Sequence, residues 1–164
     1  AIKKLKLKDV DLVMNLQGDE PLMDIDDIKN LNNHMIKNKS EIGTLASIIS
    51  NKNSANNTNV VKVQTKEKLI KTSFPEAVSF MRKSNEINEN IYNHLGIYCY
   101  QIDTLKKFVS LQQTPNEKES SLEQLRALDN GIKINVALAK SSPIGIDTKE
   151  DFVAIKKIME YKPK

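Results

Sequence analysis

Short apolar runs alternate with amphipathic stretches along the chain, and this alternation constrains the fold more than any other feature. Runs suited to strands lie at residues 11–16, 42–49, 60–64, 77–83, 94–101 and 133–139. Apolar residues at helical spacing predict helices over residues 24–39, 102–111, 120–129 and 148–161. Strands and helices in this order predict a three-layer α/β/α fold around a mixed sheet. Residues 1–164 suit a single domain of ordinary size.

The strands and helices carry further signals. Residues 77–83 alternate as an edge or half-buried strand is expected to do. Helix 24–39 has acids in its first turn and lysines in its last turn. Its apolar residues at helical spacing are Ile25, Ile28, Leu31, Met35 and Ile36. In the last helix, the residues predicted to face inward are Phe152, Ile155, Ile158 and Met159.

Composition disfavours several classes of protein. The net charge is +4, from 25 basic and 21 acidic residues, and the lysines are scattered, which favours a small anionic ligand. The chain has no Trp and no interleaving of aromatic and basic residues, so we expect no nucleic-acid partner. Cys99 is the only cysteine, which fits a reducing compartment. No apolar stretch approaches the ~20 residues that span a bilayer. We therefore expect a cytoplasmic protein without a membrane partner.

The turn at residues 17–21 follows the first strand and carries two acids. Gly18 relaxes the backbone and Pro21 stops the strand, which presents Asp19 at the strand's carboxyl end. In open α/β sheets ligands bind at that edge, where a carboxylate can hold a divalent metal against a phosphate. The alternative interpretation is a solvated turn without a ligand.

A second acid follows the last strand. Gly145 gives a turn, and Asp147 or Thr148 occupies the N-cap position of the last helix, with Glu150 or Asp151 completing a capping box. Capping alone explains this pattern. If Asp147 and Asp19 both lie at strand carboxyl ends, however, the two carboxylates could share one Mg²⁺ ion.

Three further segments carry expectations. Residues 1–7 resemble the last turn of a helix, so we expect the chain to begin within an element; a complete but ragged terminus is the alternative. Residues 51–59 predict a polar loop, and residues 84–90 predict a mobile insertion.

Five strings in register give a family resemblance. They are NLQGDEP (15–21), VKV (61–63), HLGIYCY (94–100), LEQLRAL (122–128) and GIDTKEDF (145–152). In this order and spacing they resemble 3-deoxy-manno-octulosonate (Kdo) cytidylyltransferase, also called CMP-Kdo synthetase. The resemblance implies a nucleotide-diphospho-sugar transferase-like fold and the reaction of CTP with Kdo to give CMP-Kdo and pyrophosphate for lipopolysaccharide biosynthesis. It also implies Mg²⁺ dependence and a homodimer.

The same resemblance implies roles for individual residues. Asp19 and Asp147 match the metal-binding aspartates. The residues that match contacts to the sugar are Gln17, Arg82, His94, Tyr98, Glu123 and Gln124. Of these, Arg82 lies two residues after Phe80 in a Phe-x-Arg stretch and could pair with the Kdo carboxylate in bidentate fashion, through two of its guanidinium N–H groups. Without the resemblance, each has a plain structural interpretation. Gln17 would be a turn amide, Arg82 a solvated arginine and His94 a structural histidine with its hydrogen bonds satisfied. Tyr98 would be a core aromatic, and Glu123 and Gln124 polar helix residues.

The chain also departs from the family pattern. The amino-terminal Pro-Ala-Arg stretch, serine-arginine loop and lysine that bind the nucleotide are absent from this sequence, and residues 83–87 replace a Pro-Trp or Pro-Tyr loop. We therefore expect residues 1–164 to form the acceptor-sugar and dimerisation part of the enzyme and to be inactive alone. The alternatives are a cytidylyltransferase for another acid sugar, of sialic or legionaminic type, or a non-catalytic fragment that binds a sugar acid.

Overall fold

A computed structural model of the chain describes residues 9–49, 57–83, 89–140, 145–146 and 148–161. The strands in this part are β1 (Leu12–Leu16), β2 (Ile42–Ser47), β3 (Lys62–Thr65), β4 (Ala77–Met81), β5 (Ile91–Gln101) and β6 (Ile134–Leu138). The helices are α1 (Ile25–Asn38), α2 (Ile102–Ser110), α3 (Pro115–Ser120), α4 (Gln124–Asp129) and α5 (Lys149–Glu160). None of the described helices is long and apolar enough to cross a membrane.

The six described strands form one mixed sheet, and β5 is its longest member. The order is β4-β3-β5-β2-β6, with β1 also paired to β5. Strand β2 lies parallel to β6 and antiparallel to β5. On its other edge, β5 pairs first with β3, through residues 91–93, and then with β1, through residues 97–101. Two strands therefore lie end to end along one edge of β5, and a gap separates them.

Apolar side chains cover both faces of the sheet. On one face, Leu31 and Met35 of α1 pack against a buried group that includes Leu45, Ile97 and Ala137. The other face carries a larger buried cluster, whose members include Val63, Phe80, Phe108, Leu125 and Val136. Because helices pack on both faces, the prediction of a three-layer α/β/α mixed sheet is confirmed. Strand β4 lies at the edge of the described sheet, as its alternating pattern predicted.

The predicted helix over residues 120–129 is shorter in the structure, where α4 begins at Gln124, and a separate short helix, α3, precedes it. Helix α3 begins earlier, at Pro115, where Thr114 and Glu117 form a capping box. It ends at Ser120, and the next residue, Ser121, is the C-cap, whose backbone is left-handed with a φ of 52°. That conformation reverses the chain before α4 begins, so no continuous helix can pass through Ser121. The sequence prediction missed α3 because its turn is polar and lacks an apolar stripe.

The last helix packs less closely than predicted. Ile155 is 2% exposed, whereas Phe152, Ile158 and Met159 are each more than half exposed, so the prediction that all four face inward is wrong. Thr148 is the N-cap and forms the capping box with Asp151. The expectations for residues 1–7, and for most of the loops at 51–59 and 84–90, fall outside the described residues.

Candidate functional site

A cavity of about 370 Å³ lies where β1 and β3 part along the edge of β5. Residues 94–96 of β5 occupy the gap between the two partner strands. The His94 N–H donates to the carbonyl of Val61 on the β3 side, at 2.9 Å. The Gly96 N–H donates to the Glu20 carboxylate on the β1 side, at 2.7 Å. The cavity is therefore an opening within the sheet. At Gly96 the Glu20 side chain takes the place of a neighbouring strand as the hydrogen-bond partner of β5.

The floor of the cavity is one face of β5, formed by His94, Gly96, Tyr98 and Tyr100. The three rings form a row, with centroids 5.3 Å apart between His94 and Tyr98 and 5.8 Å apart between Tyr98 and Tyr100. Gly96 interrupts this row. A Cβ atom there would lie 2.7 Å from Gln17 Oε1 and 2.9 Å from Glu20 Oε1. The missing side chain lets the turn after β1 approach the strand closely.

The turn after β1 forms one wall. Glu20 folds back, since its N–H donates to the Gln17 carbonyl at 3.2 Å. Asp19 stands beside it with an exposed side chain, and its carbonyl accepts from the Ile146 N–H at 2.8 Å. Gly145 also lines the cavity. The turn after β1 therefore meets the segment that enters α5, as expected if both follow strand ends at the same edge of the sheet.

Residues 121–124 form the opposite wall, and Arg82 fixes them from behind. The Arg82 guanidinium donates to the carbonyls of Ser120 and Ser121 at 3.2 Å each, and to that of Thr58 at 3.4 Å. Lys62 extends this arrangement. Its buried ammonium donates to the carbonyls of Asn57, of Val60 at 2.7 Å and of Arg82 at 3.2 Å. Arg82 thus joins wall 121–124 to the loop at residues 57–61, and Lys62 joins the same loop to the backbone of Arg82.

A buried ion pair holds α3 to α4 beneath the same wall. Arg126 donates to both carboxylate oxygens of Glu117, at 2.6 and 2.8 Å, and to Glu123 at 3.3 Å. Its guanidinium lies 5.0 Å from the centre of the Phe108 ring. The hydrogen bonds from Arg126 lower the pKa of Glu117 to about 2. Glu123 therefore lies on a helix start whose position is fixed by charge.

The electrostatics of the cavity favour a hydroxylated ligand or a cation. Its described lining includes Asp19, Glu20 and Glu123 but no lysine or arginine. Burial lowers the pKa of His94 to about 3, so its imidazole is neutral near pH 7. Burial also raises the pKa of Tyr98 well above its usual range, and the Tyr98 hydroxyl has no hydrogen-bond partner among the described residues. A buried hydroxyl without a partner is costly, and a ligand in the cavity could satisfy it.

Most of the predicted site residues come together here. Those in the cavity lining are Gln17, Asp19, His94, Tyr98, Glu123 and Gln124. Arg82 lies behind the lining, and Asp147 falls outside the described residues. In the described part of the chain, no group of three or more His, Cys, Asp and Glu side chains could hold a metal ion.

Two site features were missed by sequence reasoning. A glycine inside the apolar strand HLGIYCY signals a close approach or a bulge, so Gly96 could have been found. Glu20 shares the predicted turn with Asp19, but its bond to Gly96 depends on a pairing 76 residues away along the chain.

The sheet and the position of its cavity define a nucleotide-diphospho-sugar transferase-like protein. The solved structure of CMP:2-keto-3-deoxy-manno-octonic acid synthetase complexed with CTP matches with a TM-score of 0.82 and 27% identity, over 96% of this chain and 65% of that one. A sequence profile described as Cytidylyltransferase matches residues 1–134. The chain belongs to the cytidylyltransferase family.

Its relatives include proteins named 3-deoxy-manno-octulosonate cytidylyltransferase. The protein from Thermodesulfovibrio yellowstonii is 40% identical over 93% of this chain and 62% of its own length. The protein from Francisella tularensis subsp. holarctica strain FTNF002-00 / FTA is 36% identical over 96% of this chain and 66% of its own length. The chain therefore spans somewhat less than two thirds of each of these relatives.

Proposed function

We propose that this chain carries the acceptor-sugar site of an enzyme that transfers CMP from CTP to Kdo. The observation that carries the proposal is the cavity at the gap in the sheet, in which six residues matching the family's functional positions converge. In the reaction, the anomeric hydroxyl oxygen of Kdo attacks the α-phosphorus of CTP and loses its proton. The bond from that phosphorus to the bridging oxygen breaks, and pyrophosphate leaves.

The residues present suit the binding of a polyhydroxylated acid. Carboxylate and amide oxygens of Gln17, Glu123 and Gln124 can accept hydrogen bonds from sugar hydroxyls, and the amides can also donate. Tyr98 supplies a buried hydroxyl that has no partner within the described residues. Holding the acceptor rigidly beside a nucleotide accelerates transfer because positioning contributes much of the catalysis of phosphoryl reactions.

The Kdo carboxylate requires a positive group, which the described lining lacks. We propose that Arg82 or a metal ion supplies it. Arg82 would serve as a direct partner only if its guanidinium exchanged one of its carbonyl acceptors for the ligand. In the structure, its hydrogen bonds to three carbonyls favour a role in holding wall 121–124 in place.

We propose that Asp19 and Asp147 hold Mg²⁺. The donor set fits, because Mg²⁺ is usually bound by one or two carboxylates together with water and substrate phosphate oxygens. Asp19 is exposed at the cavity, Ile146 donates to its carbonyl, and Thr148 caps α5, so the cap does not require the Asp147 carboxylate. When bound, the ion would stabilise negative charge on the phosphate oxygens.

The test measures pyrophosphate release with CTP, Kdo and Mg²⁺, beside calorimetric titration of the chain with Kdo. The same assay is run on a chimera in which the amino-terminal segment of the T. yellowstonii relative precedes residue 1. We expect Kdo binding by both proteins, and release by the chimera alone. A chimera that releases pyrophosphate with a sialic acid but not with Kdo would overturn the substrate assignment. Failure of the chain to bind Kdo at all would overturn the acceptor-site assignment.

A homodimer is also proposed, and sedimentation of the chimera tests it.

A further inference from the structure

Thr44 is a buried polar residue that contacts the cavity's histidine from behind. It lies on β2 with no exposed surface. Three polar atoms lie near its hydroxyl oxygen, namely the Ile97 carbonyl at 2.7 Å, the Leu95 carbonyl at 3.4 Å and His94 Nε2 at 3.0 Å. The pairing of β2 with β5 shifts register between Thr44 and Leu45, and both carbonyls belong to the stretch of β5 at this shift.

The single proton of the hydroxyl decides how these contacts are made. A carbonyl oxygen can only accept, so the short contact with Ile97 requires the Thr44 hydroxyl to donate to it. With its proton used there, Thr44 can only accept from the imidazole. His94 Nε2 must therefore be the donor in the bond between the two side chains.

The imidazole then has one defined tautomer. A neutral ring carries one proton, and if that proton is on Nε2, then Nδ1 has a free lone pair. The ring is held in place, because its centroid lies 5.2 Å from that of Phe80 and 5.3 Å from that of Tyr98. Since Nε2 is occupied by Thr44, Nδ1 is the nitrogen of this cavity-lining ring that remains for a ligand.

We propose that Thr44 is a positioning residue that fixes His94 in the Nε2–H tautomer, so that the cavity meets its ligand with an acceptor nitrogen and selects a hydroxyl there. A carboxylate cannot donate to Nδ1 and would also face the acidic lining formed by Asp19, Glu20 and Glu123. A sugar hydroxyl can donate to Nδ1, and it could also accept from the Tyr98 hydroxyl.

The proposal rests on the proposed function for the identity of the ligand, but the tautomer is a property of the ligand-free chain. The first experiment therefore records long-range ¹H–¹⁵N correlation spectra of the imidazoles in ¹⁵N-histidine-labelled chain without ligand. The sequence has two histidines, so the variant His34→Gln assigns both rings. We expect His94 as the pure Nε2–H tautomer in the parent and in Thr44→Ser, which keeps the hydroxyl. Thr44→Val removes the acceptor and should give a tautomer mixture.

Dominance of the Nδ1–H tautomer in the parent would overturn the proposal, and so would an unchanged His94 spectrum in folded Thr44→Val. Thr44→Ala replaces the valine variant if that protein does not fold. This readout involves no sugar, so it stands or fails independently of the proposed function.

The second experiment measures Kdo affinity by calorimetry. Loss of one oriented hydrogen bond should weaken binding about tenfold in Thr44→Val, while Thr44→Ser should stay within about twofold of the parent. Weakened binding with an unchanged tautomer would show that Thr44 acts only through packing, against the proposal. If the parent has the Nε2–H tautomer but does not bind Kdo, the proposed function fails and the selection of a Kdo hydroxyl fails with it.

Discussion

Gly96 is the residue on which the shape of the cavity most depends. Its N–H bonds to Glu20, and its missing side chain leaves room for the ends of the Gln17 and Glu20 side chains. Because those ends are flexible, the fold can accommodate a methyl group at this position. The Gln17 and Glu20 side chains would have to move, however, so the wall of the cavity would change.

Gly96→Ala should therefore weaken Kdo binding with little loss of stability. We expect affinity to fall about tenfold and the free energy of unfolding to change by about 1 kcal/mol or less, since only flexible chain ends must move. The matched control is Gly43→Ala, whose new Cβ would lie 2.5 Å from Met35 Sδ in the core and away from the cavity. That variant should lose about 1–3 kcal/mol.

Calorimetry and urea unfolding of the two glycine variants check this pair. Equal losses of stability, or equal effects on Kdo affinity, would contradict the assignment of Gly96 to the site.

Asp19 has an exposed carboxylate at the cavity. In the chimera, Asp19→Asn should reduce Mg²⁺-dependent pyrophosphate release more than about tenfold, because the amide removes a charge that the metal requires. The melting temperature should stay near that of the parent. Asp11→Asn, at the other end of β1, is the control and should leave turnover unchanged. Turnover of the Asp19 variant within tenfold of the parent would refute its role as a metal ligand.

At the scale of the elements, two short helices depend on one buried ion pair. Glu117 of α3 is 5% exposed at its side chain and Arg126 of α4 is 12% exposed. The pair ties α3 to α4, whose start carries the cavity-lining residues Glu123 and Gln124. Because Glu117 is buried and Arg126 is only slightly exposed, removing one charge leaves the other with little compensation from solvent.

Stability should therefore depend on pH through Glu117. Its folded pKa of about 2 lies below the ordinary value of 4.5, so its contribution is complete above about pH 4.5 and is lost as the pH falls toward 2. Glu117→Gln should cost on the order of 2 kcal/mol at neutral pH, and the difference from the parent should shrink on acidification. Urea unfolding over that pH range measures it.

A surface pair provides the control for Glu117. Asp103 and Lys106 lie 2.8 Å apart with both side chains more than half exposed, so Asp103→Asn should change stability by less than about 0.5 kcal/mol. A difference between Glu117→Gln and the parent that stays constant with pH would show that the loss comes from packing and not from charge.

Arg82 joins two loops through its planar guanidinium. Lysine keeps the charge but has one nitrogen, so Arg82→Lys cannot reach the carbonyls of Thr58, Ser120 and Ser121 together. We expect faster amide hydrogen exchange at residues 120–124 and Kdo binding weakened about tenfold. The exposed neighbour Lys83 provides the control as Lys83→Gln. Weakened binding with unchanged exchange would instead favour a direct contact between Arg82 and the Kdo carboxylate.

At the scale of the whole molecule, α5 is held to the rest of the described chain by few buried side chains. Ile155 is its buried apolar side chain, and Phe152 is 54% exposed. Ile155→Ala should remove about 2–4 kcal/mol of packing from this helix, whereas Phe152→Ser should be nearly neutral. Hydrogen exchange should accelerate over residues 149–160 in the Ile155 variant and stay unchanged in the sheet. Equal effects of both variants would contradict the observed orientation of α5.

The sequence predicts the elements well because their signals are local. Alternating apolar runs locate each strand to within a few residues, and the acids and lysines of α1 mark its ends. The order of strands has no local signal. Nothing near Leu12 or Lys62 in the sequence shows that β1 and β3 share one edge of β5, because that pairing joins segments far apart in the chain.

The candidate site shows the same difference between local signals and long-range pairing. Asp19 could be predicted because a glycine turn with acids follows a strand, and Gln17 and His94 because each lies within a string that resembles the family. Thr44 could not be predicted, since a threonine inside an apolar strand looks like any other β-branched residue. Its proposed role depends on carbonyl groups of the neighbouring strand β5, which accept from its hydroxyl.

The gap along β5 also limits how the chain can vary in length. One continuous strand serves both halves of the sheet, and its side chains alternate between faces. Adding or deleting one residue between His94 and Tyr98 would reverse the alternation of side chains beyond that point. The rings of Tyr98 and Tyr100 would then face α1, and the side chains of the residues that pair with β1 would lie on the opposite face of the sheet. The connection from β3 to β4, at residues 66–76, contributes nothing to the described cavity lining. Insertions and deletions should therefore accumulate in that connection, while the spacing within HLGIY stays constant.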